Sequence, residues 1–444
     1  MVFFPSAINQ YFSEAEGTIV LENLRQIVQI VDDNVTEYLT GKDMNGIKII
    51  GSESKDLAVV VVDGVIKDIG RLIDLEAKLD LSTSPRYDCG GGCLLPGLVD
   101  GHSHPVFAGD RVHEFAMKLA GATYMEVQAA GGGIHFTTTK TREAPKTALI
   151  ANFKKIADQM IKFGTTTLEA KSGYGLNWET ELKMLEAIEE VAADHPLEIS
   201  GTFCGAHAIP KDKNEHEQSR EIVDKMIPKL RQLQREGQLK SLENIDVFCE
   251  KGVFEIETSK EILTTGKNAG FHINFHADEL HPLNGAEMGA SIGARAMSHL
   301  EEISEKGISA MALSGTVATL LPSTAYMLRL KPPPARDMIE KGVIVALGSD
   351  FNPNAYCLSM SMIMHLACVT FKMSMPEALV AATLNSAHSL GRGKSHGAIA
   401  VNRIADFILI DAPKWEHLIY QFGGHSTIIS AVFKRGKIVY QKTA

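Results

Sequence analysis

From residue 94 to residue 348, short apolar runs alternate with amphipathic stretches, and this alternation restricts the fold more than any other feature of the chain. The runs 94–99, 165–169, 198–203, 244–249, 271–275, 295–298, 316–321 and 343–348 have the length and apolar content of buried strands. Stretches with helical periodicity separate most of them, at 146–163, 179–193, 218–236, 258–269, 284–292, 301–313 and 334–341. Strand and helix repeated in this order build a parallel sheet covered by helices. Eight strands favour a closed (β/α)8 TIM barrel over an open doubly wound sheet.

Two β-rich regions bracket that pattern. Residues 57–70, LAVVVVDGVIKDIG, read as a hairpin around Asp63-Gly64, and residues 428–441 read as a second around Arg435-Gly436, with another strand at 404–411. Neither end carries enough apolar residues for a core of its own. The two ends are therefore expected to form one small composite β-sheet domain, 1–94 with 395–444, into which the barrel, 95–394, is inserted. The 444-residue length accommodates both.

Composition narrows the partners. Lys and Arg number 44 against 54 Asp and Glu, a net charge of −10, which argues against nucleic acid or an anionic membrane surface and for a small-molecule ligand. Six scattered cysteines do not make a disulfide framework, which points to a reducing compartment and a cytoplasmic protein. Cys89 and Cys93 lack the second close pair that a structural zinc site needs. The first residues do not read as a signal peptide, and no apolar run approaches the roughly 20 residues of a membrane span.

The chemistry gathers at the ends of the expected strands. His102-Ser103-His104 follows the first apolar run, and in extended chain residues two apart face the same way, so both imidazoles can reach one metal ion. His276 and Glu279 follow the fifth strand, His299 the sixth and Asp350 the eighth. On a barrel all of these lie on the C-terminal rim, where active sites of this fold are built. Imidazoles with a carboxylate suit zinc or iron, and such a metal lowers the pKa of a bound water to about 7. Glu279 is placed to move a proton. His299 could be a ligand or polarise a carbonyl, and Asp350 could bind metal or act as the base. Arg111 suits a substrate carboxylate by bidentate pairing, and Tyr174 and His207 follow strands two and three. Gly131-Gly132-Gly133 is not followed by the Lys-Ser/Thr of a phosphate loop, which dismisses a nucleotide site.

The segments LPGLVDGHS, HADE and GSD resemble the amidohydrolase superfamily of metal-dependent barrel hydrolases. The longer stretches AGDRVHEFAMKLAGATYMEVQAAGGGI, KSGYGLNWETELKML, FHADELHP, SHLEE and LGSDFNPNAYC resemble, more narrowly, the imidazolonepropionases. That family hydrolyses the cyclic amide of 4-imidazolone-5-propanoate to N-formimidoyl-L-glutamate in histidine degradation. The resemblance runs from about residue 57 to the C-terminus. It implies His102, His104, His276 and Asp350 as ligands of one zinc or iron ion per subunit. It implies Arg111, Tyr124, Tyr174, His207, Glu279, Asn352, Asn354 and Ala355 as substrate-binding positions. It also implies His299 as a catalytic histidine beside Glu279 and Asp350, attack on the lactam carbonyl by a metal-activated hydroxide, a homodimer, and a composite β-sandwich domain beside the barrel.

Two rivals stand beside this reading. The same metal residues would serve a deaminase of the superfamily, which Arg111 and the Asn352 loop disfavour because a neutral nucleobase has no carboxylate to pair with. A non-catalytic assembly protein on this fold is disfavoured because each ligand position holds a competent residue. A binuclear centre would need a bridging lysine, for which Lys251 is the candidate at the end of strand four.

Overall fold

The computed structural model describes residues 17–122, 126–127 and 132–443. Chain order begins with β1 (Thr18–Leu24), β2 (Gln26–Ile30), β3 (Lys48–Gly51), β4 (Leu57–Val62), β5 (Val65–Arg71), β6 (Arg86–Asp88) and β7 (Cys93–Pro96). The barrel strands follow: β8 (Leu98–Asp100), β9 (Thr165–Lys171), β10 (Glu198–Ala206), β11 (Leu242–Cys249), β12 (His272–Ala277), β13 (Ala296–His299), β14 (Val317–Leu320) and β15 (Ile344–Leu347). The chain closes with β16 (Phe407–Ile410), β17 (Ile429–Lys434) and β18 (Lys437–Gln441).

Strands β8 to β15 pair in chain order as one eight-stranded parallel sheet. The first and last strands meet beyond their ends, where Ser103 bridges Phe351 and the His104 N–H donates to the Phe351 carbonyl at 2.8 Å. This closes the sheet into the expected barrel. Helices cover it with the predicted spacing: Lys146–Lys162 buries Leu149, Phe153, Ile156, Ala157 and Met160 on one face. Truncating a core ring such as Phe153 costs about 3–5 kcal/mol.

The apolar run 94–99, expected as a single barrel strand, is divided between two sheets, because β7 pairs with β16 and β2 whereas β8 pairs with β9. Gly97 separates them, and a Cβ there would fall 2.2 Å from Thr166 Oγ1. Strands β1 to β3 had no equivalent in the sequence reading.

The chain ends meet as two sheets, ordered β5-β4-β1-β6 and β18-β17-β16-β7-β2-β3, the second drawing strands from both ends. Leu21, Val59, Leu94, Phe407 and Phe433 fill the layer between them. Both expected hairpins form, with positive φ at Asp63 and Gly64 and again at Arg435 and Gly436, the conformation of a type I′ turn. Among the described residues no helix is long and apolar enough to cross a membrane.

Candidate active site and metal centre

At the C-terminal end of the barrel four side chains turn toward one point. His104 Nε2 lies 3.3 Å from His102 Nε2 and 3.3 Å from His276 Nε2, and Asp350 Oδ1 lies 3.5 Å from His102 Nε2 and 3.7 Å from His104 Nε2. Their outer atoms explain why they point there. Ser298 holds His102 Nδ1 at 2.7 Å, Asp246 holds His276 Nδ1 at 2.9 Å, and the Thr324 hydroxyl donates to Asp350 Oδ2 at 2.5 Å. Asp246 accepts the Nδ1 proton of His276, which leaves the Nε2 lone pair facing inward. Facing lone pairs beside a carboxylate repel one another unless a cation sits among them. Zinc bonds of about 2.0–2.1 Å in tetrahedral geometry would set their ligands about 3.3 Å apart, close to the spacing observed. The residues present therefore fit a metal ion.

The backbone pays attention to these positions as well. His299 and Asp350 both have left-handed backbones, with φ of 75° and 44°, which non-glycine residues rarely adopt outside sites where surrounding structure enforces them. Gly348, two residues before Asp350, has no alternative: a Cβ would meet His102 Cβ at 2.8 Å.

Around the centre lies a cavity of about 680 Å³, lined by Arg111, Tyr174, His207, Glu279, His299, Asn352 and Asn354, all expected from the sequence. His207 stacks on His104, with ring centroids 4.7 Å apart, and donates from Nδ1 to the Gly173 carbonyl at 3.0 Å. His299 stands between two carboxyls, its Nε2 3.6 Å from Glu279 and its Nδ1 3.7 Å from Glu301. Burial, reinforced by Glu301, Asp350 and Glu250, raises the Glu279 carboxyl well above its usual range. Burial pushes His207 down to about 4 and His299 down to about 3. Ala355 is buried, and its N–H donates to Asn352 Oδ1 at 3.1 Å. Tyr124 lies outside the described residues. Lys251 is exposed and does not line the cavity.

Other members of the site escaped the sequence reading. Glu114 receives Arg111 Nε at 2.8 Å and Nη2 at 2.7 Å, and the Gly133 N–H at 2.8 Å, so it anchors the guanidinium. A Cβ at Gly132 would fall 2.8 Å from Glu114 Oε1, which gives the glycine run a use: it makes room for this pair. Lys171, fully buried, bridges Glu169 at 3.0 Å and Asp246 at 2.8 Å beneath the metal residues. Charged residues inside strands buried on both faces, as in TTTLEAK and LENIDVFC, were the available signal.

Known proteins resemble this chain over most of its length. A profile of the amidohydrolase family matches residues 93–439. The mouse (Mus musculus) protein named probable imidazolonepropionase is 53% identical over 425 residues, 96% of this chain and 99% of that one. The Homo sapiens protein of the same name is 52% identical over equal shares, and that of Dictyostelium discoideum is 49% identical over 95% of this chain and 97% of its own. Among solved structures, guanine deaminase from C. acetobutylicum with bound guanine superposes with a TM-score of 0.70 at 14% identity, covering 95% of this chain and all of that one. Atrazine chlorohydrolase from Arthrobacter aurescens complexed with zinc superposes with a TM-score of 0.71 at 16% identity, covering 95% of each. These two share the fold. By the profile match and the full-length identity together, the chain belongs to the amidohydrolase family and is a hydrolase of the imidazolonepropionase group within it.

Proposed function

We propose that this chain opens the ring of 4-imidazolone-5-propanoate by hydrolysing its cyclic amide, giving N-formimidoyl-L-glutamate in histidine degradation. The observation that carries this reading is the meeting, in one cavity, of the His102, His104, His276 and Asp350 cluster with an arginine that a buried glutamate holds in place. Those four residues would hold one zinc or iron ion per subunit, which when bound supplies a Lewis acid and a water of lowered pKa. Arg111 binds the propionate, and Tyr174, His207, Asn352 and Asn354 shape the space around the ring, with Ala355 and Tyr124 completing the substrate-binding set. Glu279 takes a proton from the attacking water as its oxygen adds to the lactam carbonyl carbon. The same carboxyl returns that proton to the ring nitrogen as the C–N bond breaks. His299, facing Glu279, steadies the negative charge that develops on the carbonyl oxygen. Asp350, held by Thr324, completes the catalytic set.

We also take the enzyme to be a cytoplasmic homodimer, with residues 1–94 and 395–444 forming one domain beside the barrel at 95–394. Light scattering of the purified protein tests the dimer.

The test of the activity is to supply zinc or iron, add imidazolone propionate, and follow both the ring absorbance and free ammonia. Loss of the ring with formation of formimidoyl glutamate is expected, with one metal ion per chain by elemental analysis. Ammonia release from an intact ring would make the chain a deaminase, and no turnover with either metal would overturn the proposal.

A further inference from the structure

Among the described residues, three lysine or arginine side chains line the cavity, and they differ in what balances them. Arg111 is buried against Glu114, so the pair contributes no net charge. Arg329 is exposed at a helix end, where water screens it. Lys118, half-buried on the helix Val112–Leu119, is different. Its ammonium donates to the neutral amide oxygen of Asn354, and among the described residues no carboxylate lies within ion-pair distance of it. Burial and the neighbouring Arg111 push its pKa below the ordinary lysine value, with Glu114 opposing them more weakly. Asn354 is in turn fixed, its N–H donating to Asn352 Oδ1 at 2.7 Å while Asn352 Nδ2 donates to the Asp350 carbonyl at 2.7 Å. Lys118 is thus the one half-buried cation without an ion-pair partner among the described residues of the cavity wall, tied to the loop that carries Asp350.

We propose that Lys118 supplies the net positive charge that selects a carboxylate-bearing substrate, while Arg111, neutralised by Glu114, supplies direction. The inference rests on the ring-opening reading and adds to it a specificity-determining residue. One unpaired charge sheltered from water matches the single carboxylate of the substrate. The arrangement also accounts for how a chain of net charge −10 attracts an anion.

The test compares imidazolone propionate with its methyl ester in the wild type, Lys118→Met and Lys118→Arg. Removing one charge-assisted contact is expected to raise the KM of the acid about tenfold to a hundredfold in Lys118→Met. The ester should lose far less, so the acid-to-ester ratio of kcat/KM falls by about tenfold or more. Lys118→Arg should restore most of that ratio. Asn354→Asp gives a second route, because a carboxylate beside the intact lysine neutralises it and should lower the same ratio even if Lys118→Met folds poorly. An unchanged ratio in the folded variants overturns the proposal, whether both substrates are unaffected or both suffer equally, the latter marking Lys118 as a tether to Asn354. Failure of the wild type to open the ring of the acid would instead overturn the proposed function itself.

Discussion

At the N-terminal end of the barrel, Glu198, His396 and Asp406 lie as close together as potential metal ligands do at the C-terminal end, where His102, His104 and Asp350 form one such group. Around the first set the protein provides its own cations. Lys434 Nζ sits 3.1 Å from Glu198 and 2.6 Å from Asp406, Arg392 Nε sits 2.6 Å from Glu198, and His396 Nε2 sits 2.9 Å from Glu198. Among the described residues no lysine or arginine fills that role around the second set: Lys171 is engaged with Glu169 and Asp246, and His104 Nδ1, His299 Nδ1 and both Glu301 oxygens lack hydrogen-bond partners. A knot of acids and imidazoles is therefore a structural joint where the chain balances it and a reactive centre where the chain does not. The lower joint also links β10 of the barrel to β17 of the small sheet, so it ties the two parts of the molecule together.

The contrast can be broken most sharply at Glu279. Glu279→Gln should lower kcat by about 10²–10⁴ while elemental analysis finds the metal still bound, as expected of a proton-transfer group that is not a ligand. Retention of activity within tenfold of wild type would remove Glu279 from the chemistry. At the lower end, Lys434→Met should act on stability instead, because it leaves Asp406 and Glu198 without their ammonium. Removing one partner of a buried pair costs about 3–5 kcal/mol, to be read by denaturant unfolding, with turnover per folded molecule kept. If the variant lost activity at unchanged stability, the two ends would not be divided as described.

Acid should sharpen the same distinction. Burial alone would raise the Glu198 carboxyl, but His396, Lys434 and Arg392 outweigh it and hold the group well below the ordinary 4.5. A carboxyl whose pKa is depressed by folding adds stability that is complete above the unfolded value and fades as pH falls below it. The wild type should thus lose stability between about pH 4.5 and pH 2, and Lys434→Met should lose less over that interval. Equal acid slopes in denaturant unfolding would count against the joint. The smallest effect is expected at Thr324: Thr324→Val leaves Asp350 Oδ2 without its hydroxyl, and metal affinity should fall about tenfold, measured by competition with a chelator. Zinc should raise the Tm of the metal-free protein, and Glu198→Gln should leave that rise intact.

Much of this molecule was legible in one dimension. Seven of the eight barrel strands lie where short apolar runs predict them, and the expected helix 146–163 is the helix Lys146–Lys162. The exception at 94–99 shows the reason for the limit. Periodicity reports burial, and β7 and β8 are equally buried while belonging to different sheets. His102, His104, His276, Glu279, His299 and Asp350 could be found because each stands near a strand end, a position that sequence reveals. Ser298, Thr324 and Lys118 could not, since each acquires its use from a partner distant in the chain: 196 residues separate Ser298 from His102, 26 separate Thr324 from Asp350, and 236 separate Lys118 from Asn354.

The sequence by itself determined the order of strands and helices, the barrel they close into and the residue types offered at its rim, because these follow from local patterns of apolar and polar side chains. Only the tertiary structure decided which way the His276 imidazole is turned, which arginine is already neutralised and which of two acid and histidine clusters is balanced by its own lysine and arginine. Those properties are electrostatic, and they depend on distances between groups that the chain brings together only on folding.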